Sequence, residues 1–103
     1  MPMQLVITET PKKSKKRLRS VWRLHAGGPV IKIVDFGLKG GSTYLDHKDK
    51  VKRKNYIARH SVNEKQFYKD PMRAATLSRY ILWGDKTNLE DSIKDYKNKF
   101  NLS

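Results

Sequence analysis

Polar and apolar residues alternate in the first part of the chain and recur at helical spacing in the second. Gln4 to Thr10 alternates around Leu5 and Ile7 and is rich in β-branched side chains, which predicts a short edge strand ended by Pro11. Leu18, Ser20, Trp22 and Leu24 then interleave with Arg19, Val21 and Arg23. The turn signal His25-Ala26-Gly27-Gly28-Pro29 comes next, and a β-branched run from Val30 to Phe36 closes at Gly37. Two such runs about a Gly-Gly-Pro turn predict an antiparallel hairpin, with Trp22 and Leu24 on one face and the arginines on the other.

Past the flexible connector Gly37–Ser42 the pattern becomes helical. Asp46 to His60 reads as a surface helix with carboxylates near its start and a thin buried stripe of Val51, Tyr56, Ile57 and Ala58. Asp70-Pro71 marks a second helix, with Asp as N-cap and Pro in the first turn. Ala74, Leu77 and Ile81 form its stripe, with Tyr80 alongside, and Trp83-Gly84 ends it. Thr87-Asn88-Leu89-Glu90 reads as a capping box for a last helix. That helix carries Leu89, Ile93, Tyr96 and Phe100 against Leu77, Ile81 and Trp83. The expected fold is α+β: a short antiparallel β-hairpin or meander followed by two or three α-helices. Lys12 to Lys16 holds no apolar residue and is expected to be a solvated arm. The expected boundaries are therefore a strand and basic arm over 1–16 and a single small α+β domain over 17–103.

Composition narrows this picture. At 103 residues, with 37% hydrophobic side chains and ten aromatics, the chain suits one domain with a small core. There is no cysteine, hence no disulfide and no thiolate metal site. The apolar stretch Leu5-Val6-Ile7 is too short for a signal peptide, and no segment approaches the roughly 20 apolar residues of a membrane span. A chain with no membrane partner is expected.

Charge changes the picture most. The net charge is +13, and Lys12, Lys13, Lys15, Lys16, Arg17, Arg19 and Arg23 supply over half of it with no acid among them. A second tract, Lys48, Lys50, Lys52, Arg53, Lys54 and Arg59, falls on the first predicted helix and spreads around its circumference, so several of its cations must point outward. Self-repulsion of this size destabilises a compact state, so the expected partner is a polyanion or an acidic protein face.

Catalytic motifs are incomplete throughout. Asp35-Phe36-Gly37 after a strand looks like the metal-binding turn of a protein kinase, yet the Gly-rich loop, the paired Lys and Glu and the catalytic loop are missing. It is read as a strand ending in a turn. His25, His47 and His60 lack convergent ligands, and the lysines around His47 oppose a bound cation; structural or phosphate-contacting roles are expected for them, with His60 at a helix C-terminus. No nucleophile elbow or acid–base pair is present. A non-enzymatic protein without cofactor or metal is expected. Tyr44, Tyr56, Phe67, Tyr68 and Tyr80 interleave with the charge and are assigned to the core rather than to base stacking.

Three blocks carry a resemblance: His47-Lys48-Asp49 with Arg53-Lys54-Asn55-Tyr56-Ile57-Ala58-Arg59-His60, then Leu77-Ser78-Arg79-Tyr80-Ile81-Leu82-Trp83, then Ser92-Ile93-Lys94-Asp95-Tyr96 with Phe100. Together with Phe36-Gly37 ahead of them, they resemble a family of small basic uncharacterised proteins encoded by large nucleocytoplasmic DNA viruses. The basic tract Lys12–Arg19 lies outside that pattern, and Ala74-Ala75 stands where an Ala-Gly step is expected. The resemblance implies a viral, virion-located protein and transfers no catalytic residue. The function expected is binding of nucleic acid, DNA foremost, through its phosphates, as in genome condensation or packaging. The alternative is a minor capsid or cement protein whose basic arm binds acidic faces of virion proteins. Both expectations use the same thirteen cations of the two tracts.

Overall fold

The computed structural model describes residues 2–103. Strands β1 (Gln4–Glu9), β2 (Leu18–Arg23) and β3 (Val30–Phe36) form one antiparallel sheet in the order β1-β2-β3. Helices α1 (Tyr44–His47), α2 (Lys50–Glu64), α3 (Ala74–Leu77) and α4 (Leu89–Lys99) complete the chain. The α+β expectation holds.

The period-two pattern sets the inner face of the sheet. Leu5 pairs with Trp22, Ile7 with Ser20, and Leu18 with Phe36. Leu5 and Trp22 are fully buried, together with Leu77, Ile81 and Tyr96 from the helical layer. The Trp22 indole N–H donates to Ser20 Oγ at 3.0 Å, and that hydroxyl donates to the Val34 carbonyl at 2.8 Å. Two polar groups are thereby buried beneath the helices without an orphan. Leu24 departs from its expected place: it lies past the end of β2, in the turn, and is 57% exposed.

Gly37 ends β3 at φ +76°, and a Cβ there would meet Leu82 Cδ1 at 2.8 Å and Arg17 Cβ at 3.2 Å. The residue is thus set by both its dihedral and its clearance. At the other end of the molecule a Schellman turn closes α4. Asn101 is left-handed at φ +53°, its N–H donates to the Asn98 carbonyl, and Leu102 N–H donates to the Lys97 carbonyl at 2.8 Å. The tail returns onto the free edge of β1, where Leu5 N–H bonds Ser103 O and Ser103 N–H bonds Met3 O, both at 2.9 Å. That edge is covered in the way aggregation-resistant sheets require.

Several helix boundaries differ from the sequence reading. The expected helix 46–60 is two helices. Lys48, left-handed at φ +53°, ends α1, and Asp49 caps α2 by accepting from Val51 and Lys52 N–H groups. Helix α2 runs on to Glu64 and buries no residue fully; Val51 is 67% exposed, so the thin stripe reduces to half-buried Tyr56 and Ile57. Asp70 does not cap a helix at Pro71. Its carboxylate accepts from Met72 N–H across a turn, and the Pro71 carbonyl accepts from the Tyr96 hydroxyl at 2.6 Å rather than from a helical N–H. Helix α3 starts at Ala74, which is itself exposed, and continues as a π-helical turn over Ser78–Leu82, with Trp83 N–H reaching the Ser78 carbonyl at 3.0 Å. The cap of α4 is Asn88 rather than Thr87: Asn88 Oδ1 accepts from Asp91 N–H at 2.9 Å while Nδ2 donates to the Asp91 carboxylate at 2.8 Å. Within α4 the buried residue of the stripe is Tyr96; Ile93 and Phe100 are half-buried and Leu89 is exposed.

The boundary expected at residue 16 falls inside the β1–β2 hairpin. β1 pairs with β2 over its whole length, so the first strand shares a sheet with β2 and β3, and the basic tract is the connection between its first two strands.

The Tyr96 hydroxyl bond to Pro71 O joins α4 to the turn before α3. Tyr96→Phe keeps the ring and orphans the carbonyl, at a cost of about 1 kcal/mol. The expected outcome is a melting temperature about 4–8 °C lower with unchanged far-UV circular dichroism. An unchanged melting temperature would show that the bond contributes nothing.

Candidate functional site

The tract Lys12–Lys16 is the connection between β1 and β2, and it is laced in place rather than free. Thr10 Oγ1 donates to the Lys16 carbonyl at 2.6 Å, Lys39 N–H to the Lys15 carbonyl at 2.9 Å, and Lys39 Nζ to the Pro11 carbonyl at 2.7 Å. The bonds use backbone carbonyls, so Lys12, Lys13, Lys15 and Lys16 keep exposed side chains. None of the four forms an ion pair among the described residues.

The thirteen cations expected to bind a partner divide into two groups. Arg17 makes a bidentate pair with Asp46 at 2.7 and 3.1 Å, and Arg19 one with Asp35 at 2.8 and 3.1 Å. Arg53 points inward: its Nε donates to the Gly84 carbonyl at 2.8 Å and the Trp83 carbonyl at 3.2 Å, and its guanidinium lies 5.5 Å from the Tyr44 ring centroid. These three arginines fasten the fold. The sequence reading erred on them because an unpaired run in sequence is not unpaired in space; Asp35 and Asp46 come from other elements. Arg23 is half-buried on the outer sheet face, while Lys48, Lys50, Lys52, Lys54 and Arg59 are exposed.

The two tracts meet. A groove of about 610 Å³ lies between the connector after β3 and helices α2 and α3, and both Lys16 and Arg59 line it. A smaller hollow of about 300 Å³ shares Tyr56, Arg59 and Trp83 with it and adds Lys52 and His47. The rings of Tyr56 and Trp83 are common to both, and His60 extends their stack on the groove side. His60 and Tyr56 centroids are 3.9 Å apart, and Tyr56 and Trp83 are 4.0 Å apart and parallel within 3°. Tyr56 and His60 meet because residues four apart share a helix face. Trp83 is presented by the end of the π-helical turn, whose last carbonyl is held by Arg53 and by Arg79 Nη1 at 3.2 Å. Burial first, and the Glu64 carboxylate second, push the Tyr56 phenol up to about 12, so it remains a neutral donor at any physiological pH. Glu64 stands at one end of the groove and accepts from His60 Nδ1 at 3.3 Å.

The assignment of Tyr56 to the core needs revision: it lines the groove and packs on Trp83 and His60 while staying half-buried. Trp83 and His60 were not among the expected site residues. The Tyr56/His60 spacing was visible in the sequence, but the approach of Trp83, 27 positions further on, depends on tertiary structure. The histidines separate clearly. His25 is exposed in the β2–β3 turn. His60 sits inside α2, not at its end, because the helix runs to Glu64. His47 accepts Asp49 N–H at Nδ1 at 2.9 Å, which places its proton on Nε2. That buried Nε2 has no hydrogen-bond partner, and the ring lies 5.3 Å from Trp83. Among the described residues no three His, Asp or Glu side chains gather to hold a metal ion.

The chain was compared with known proteins. The model of a family of unknown function, DUF5754, matches residues 6–60. The chain belongs to that family. The match runs from within β1 to the groove-lining part of α2, so it contains both basic tracts, β2, β3 and most of β1. No curated protein and no solved structure matches significantly. No helix among the described residues is long and apolar enough to cross a membrane.

Asp46 is the most strongly bonded carboxylate near the groove. The Arg17 guanidinium, with help from Thr43 N–H and Oγ1, holds its pKa far below the ordinary carboxylate range. A depressed folded-state pKa makes the contribution complete above the unfolded value of about 4 and removes it as pH falls through the folded value. Melting temperature should therefore drop between about pH 4 and pH 2 in the native chain, and drop less in Asp46→Asn, which starts lower at neutral pH. Parallel pH profiles for the two chains would remove Asp46 from this role.

Proposed function

We propose that this protein is a non-enzymatic, nucleic-acid-binding structural protein of a large DNA virus, located in the virion, that neutralises phosphates during genome condensation or packaging. The observation that carries the reading is the meeting of Lys16 and Arg59 at one groove, with Lys52 beyond and the exposed lysines of the hairpin connection beside it. Six of the ten acids, Asp35, Asp46, Asp49, Glu64, Asp70 and Asp91, are occupied in internal pairs, caps and turns, so the partner-facing cations are not neutralised by them. Lysine dominates this free set. It contacts phosphates as a point charge and carries no bidentate base readout, which suits sequence-tolerant binding.

One observation favours the second reading, a minor capsid or cement protein. Val6, Val21 and Ile33 stand in register across the outer sheet face, and Val6 and Ile33 are 37% and 53% exposed. That row suits an apolar contact with another protein, with Arg23 on the same face to meet acidic groups.

If about six phosphates of duplex DNA are neutralised, affinity should fall roughly 10³-fold between 50 and 200 mM salt, with slight sequence preference. Replacing Lys12, Lys13, Lys15 and Lys16 by Ala should flatten the log–log salt slope by about 0.9 for each phosphate no longer neutralised. The melting temperature of this variant should stay within about 5 °C of the native value, since these side chains make no internal bond. Absence of DNA binding at low salt would defeat this reading and leave the capsid reading in its place.

A further inference from the structure

A second cleft, unrelated to either tract seen in the sequence, opens on a different face of α2. Its volume is about 640 Å³, within the range of roughly 300–1,000 Å³ typical of small-molecule sites. Four cations line it: Lys65 and Lys69 from the turn after α2, Arg79 from the π-helical turn, and Lys99 from the end of α4. Between them lie the rings of Tyr68, Tyr80 and Phe100. Among the described residues none of the four cations forms an ion pair. The cations instead rest on neutral groups. Arg79 Nη1 bonds the Trp83 carbonyl, and its guanidinium lies 4.7 Å from the Tyr80 ring centroid. Lys99 Nζ lies 4.5 Å from the same centroid. Arg79 is half-buried, and burial lowers its pKa from the usual value. A half-buried guanidinium beside three ammonium groups is an arrangement that an anion relieves. One carboxylate touches the lining: Glu64 Oε2 accepts from the Tyr68 hydroxyl at 3.4 Å while Oε1 is turned to His60.

We propose that this cleft binds a phosphorylated nucleoside unit, its phosphate among Lys65, Lys69, Arg79 and Lys99 and its base against the aromatic floor. Charge complementarity selects a multiply charged anion, and the lining selects what carries it. Ile57 is the one aliphatic side chain there, so an acyl chain finds little to pack on, whereas a planar ring meets three aromatic side chains. Those rings pair edge to face rather than stacking on one another, Tyr68 with Tyr80 at 5.7 Å and Tyr80 with Phe100 at 6.2 Å. Lys99 is held over Tyr80 only by a cation–π contact, and it exchanges that for the phosphate when the base arrives. The partner class is set by position: Ile57 and Ser61 lie on α2, the helix whose other face carries Lys52 and Arg59, so a nucleic acid held in the groove is close to the cleft. In this respect the site rests on the phosphate-binding reading, and its test separates the two.

The test is isothermal titration of the full chain at low salt with adenosine 5′-monophosphate, adenosine, inorganic phosphate and O-phosphotyrosine. The nucleotide is expected to bind about tenfold or more tighter than adenosine or phosphate, as stacking and charge act together. The double change Lys65→Gln with Lys99→Gln should weaken it about tenfold, with the circular dichroism spectrum retained. The quadruple Ala variant of Lys12, Lys13, Lys15 and Lys16 should bind it unchanged. A 5′-phosphorylated hexanucleotide that competes with the nucleotide identifies a strand as the source, and failure to compete identifies the free nucleotide; both support the site. Equal binding of phosphate and nucleotide, tighter binding of phosphotyrosine, or an unaffected double variant would overturn it. Loss of nucleotide binding with duplex binding intact would remove the cleft and leave the groove; the reverse would keep the cleft and remove the phosphate-binding reading.

Discussion

Scarcity of carboxylates is the constraint on which the rest of this molecule depends. Ten acids serve twenty-three lysines and arginines. The fold uses its acids at places where charge does structural duty. Asp35 and Asp46 hold Arg19 and Arg17 at the start of the central strand; Asp49 accepts from the first amides of α2; Asp91 accepts from the side chain of Asn88, the cap of α4; Asp70 shapes the turn at Pro71. Each accepts from fixed donors, and for Asp35, Asp46 and Asp49 the hydrogen bonds hold the pKa below the ordinary range. The charge left outside this framework is almost entirely cationic, so the exposed character of the surface is a consequence of where the interior places its acids.

The π-helical turn Ser78–Leu82 is the element that gives the surface its shape. One residue more per turn rotates the downstream chain, and it sets Arg79 and Tyr80 toward the second cleft while Ile81 and Leu82 enter the core. As at any helix C-terminus, the last carbonyls of this turn have no partner within the helix. Ser92 Oγ donates to the Ile81 carbonyl at 2.6 Å, and Arg53 and Arg79 both donate to the Trp83 carbonyl. Cations at a helix C-terminus are favoured by its dipole. Arg53 therefore ties α2 to this turn, and the same bond places Trp83 against Tyr56. The ring stack of the groove and the cationic cleft share one cause.

The sheet was legible in the sequence because alternation, β-branching and the Gly-Gly-Pro turn all pointed the same way, and the register that buries Leu18, Ser20 and Trp22 needs no more than that. The last helix was legible from its Tyr96 and Phe100 spacing. The features that escaped were decided by contacts distant in sequence. The Pro71 carbonyl is bonded by Tyr96, far along the chain, instead of opening a helix, and nothing near Pro71 announces that. The break at Lys48 was hidden because Asp46 and Asp49 both look like helix-start residues; each in fact serves its own helix. The basic tract was readable as charge but not as a closed hairpin connection, since its fasteners, Thr10 and Lys39, flank it from outside. Lys65, Lys69, Arg79 and Lys99 formed no run, and only folding gathers them.

Charge of one sign also couples stability to binding with opposite dependence on salt. Added ions screen repulsion among Lys12–Lys16, among the lysines of α2, and between Arg53 and Arg79, which lowers the energy of the folded chain. The same ions compete for phosphates and weaken attachment to a polyanion. The bidentate pairs Arg17–Asp46 and Arg19–Asp35 are partly shielded from that screening by their burial, with arginine side chains 27% and 32% exposed. The framework thus keeps its fasteners while its outer lysines lose and regain their pull as ionic conditions change. On the proposed reading, a polyanionic partner would supply the missing negative charge at both the groove and the second cleft, and so relieve the repulsion that the free chain carries. Binding and folding would then reinforce one another, the proposed partner acting in part as the acid this sequence lacks.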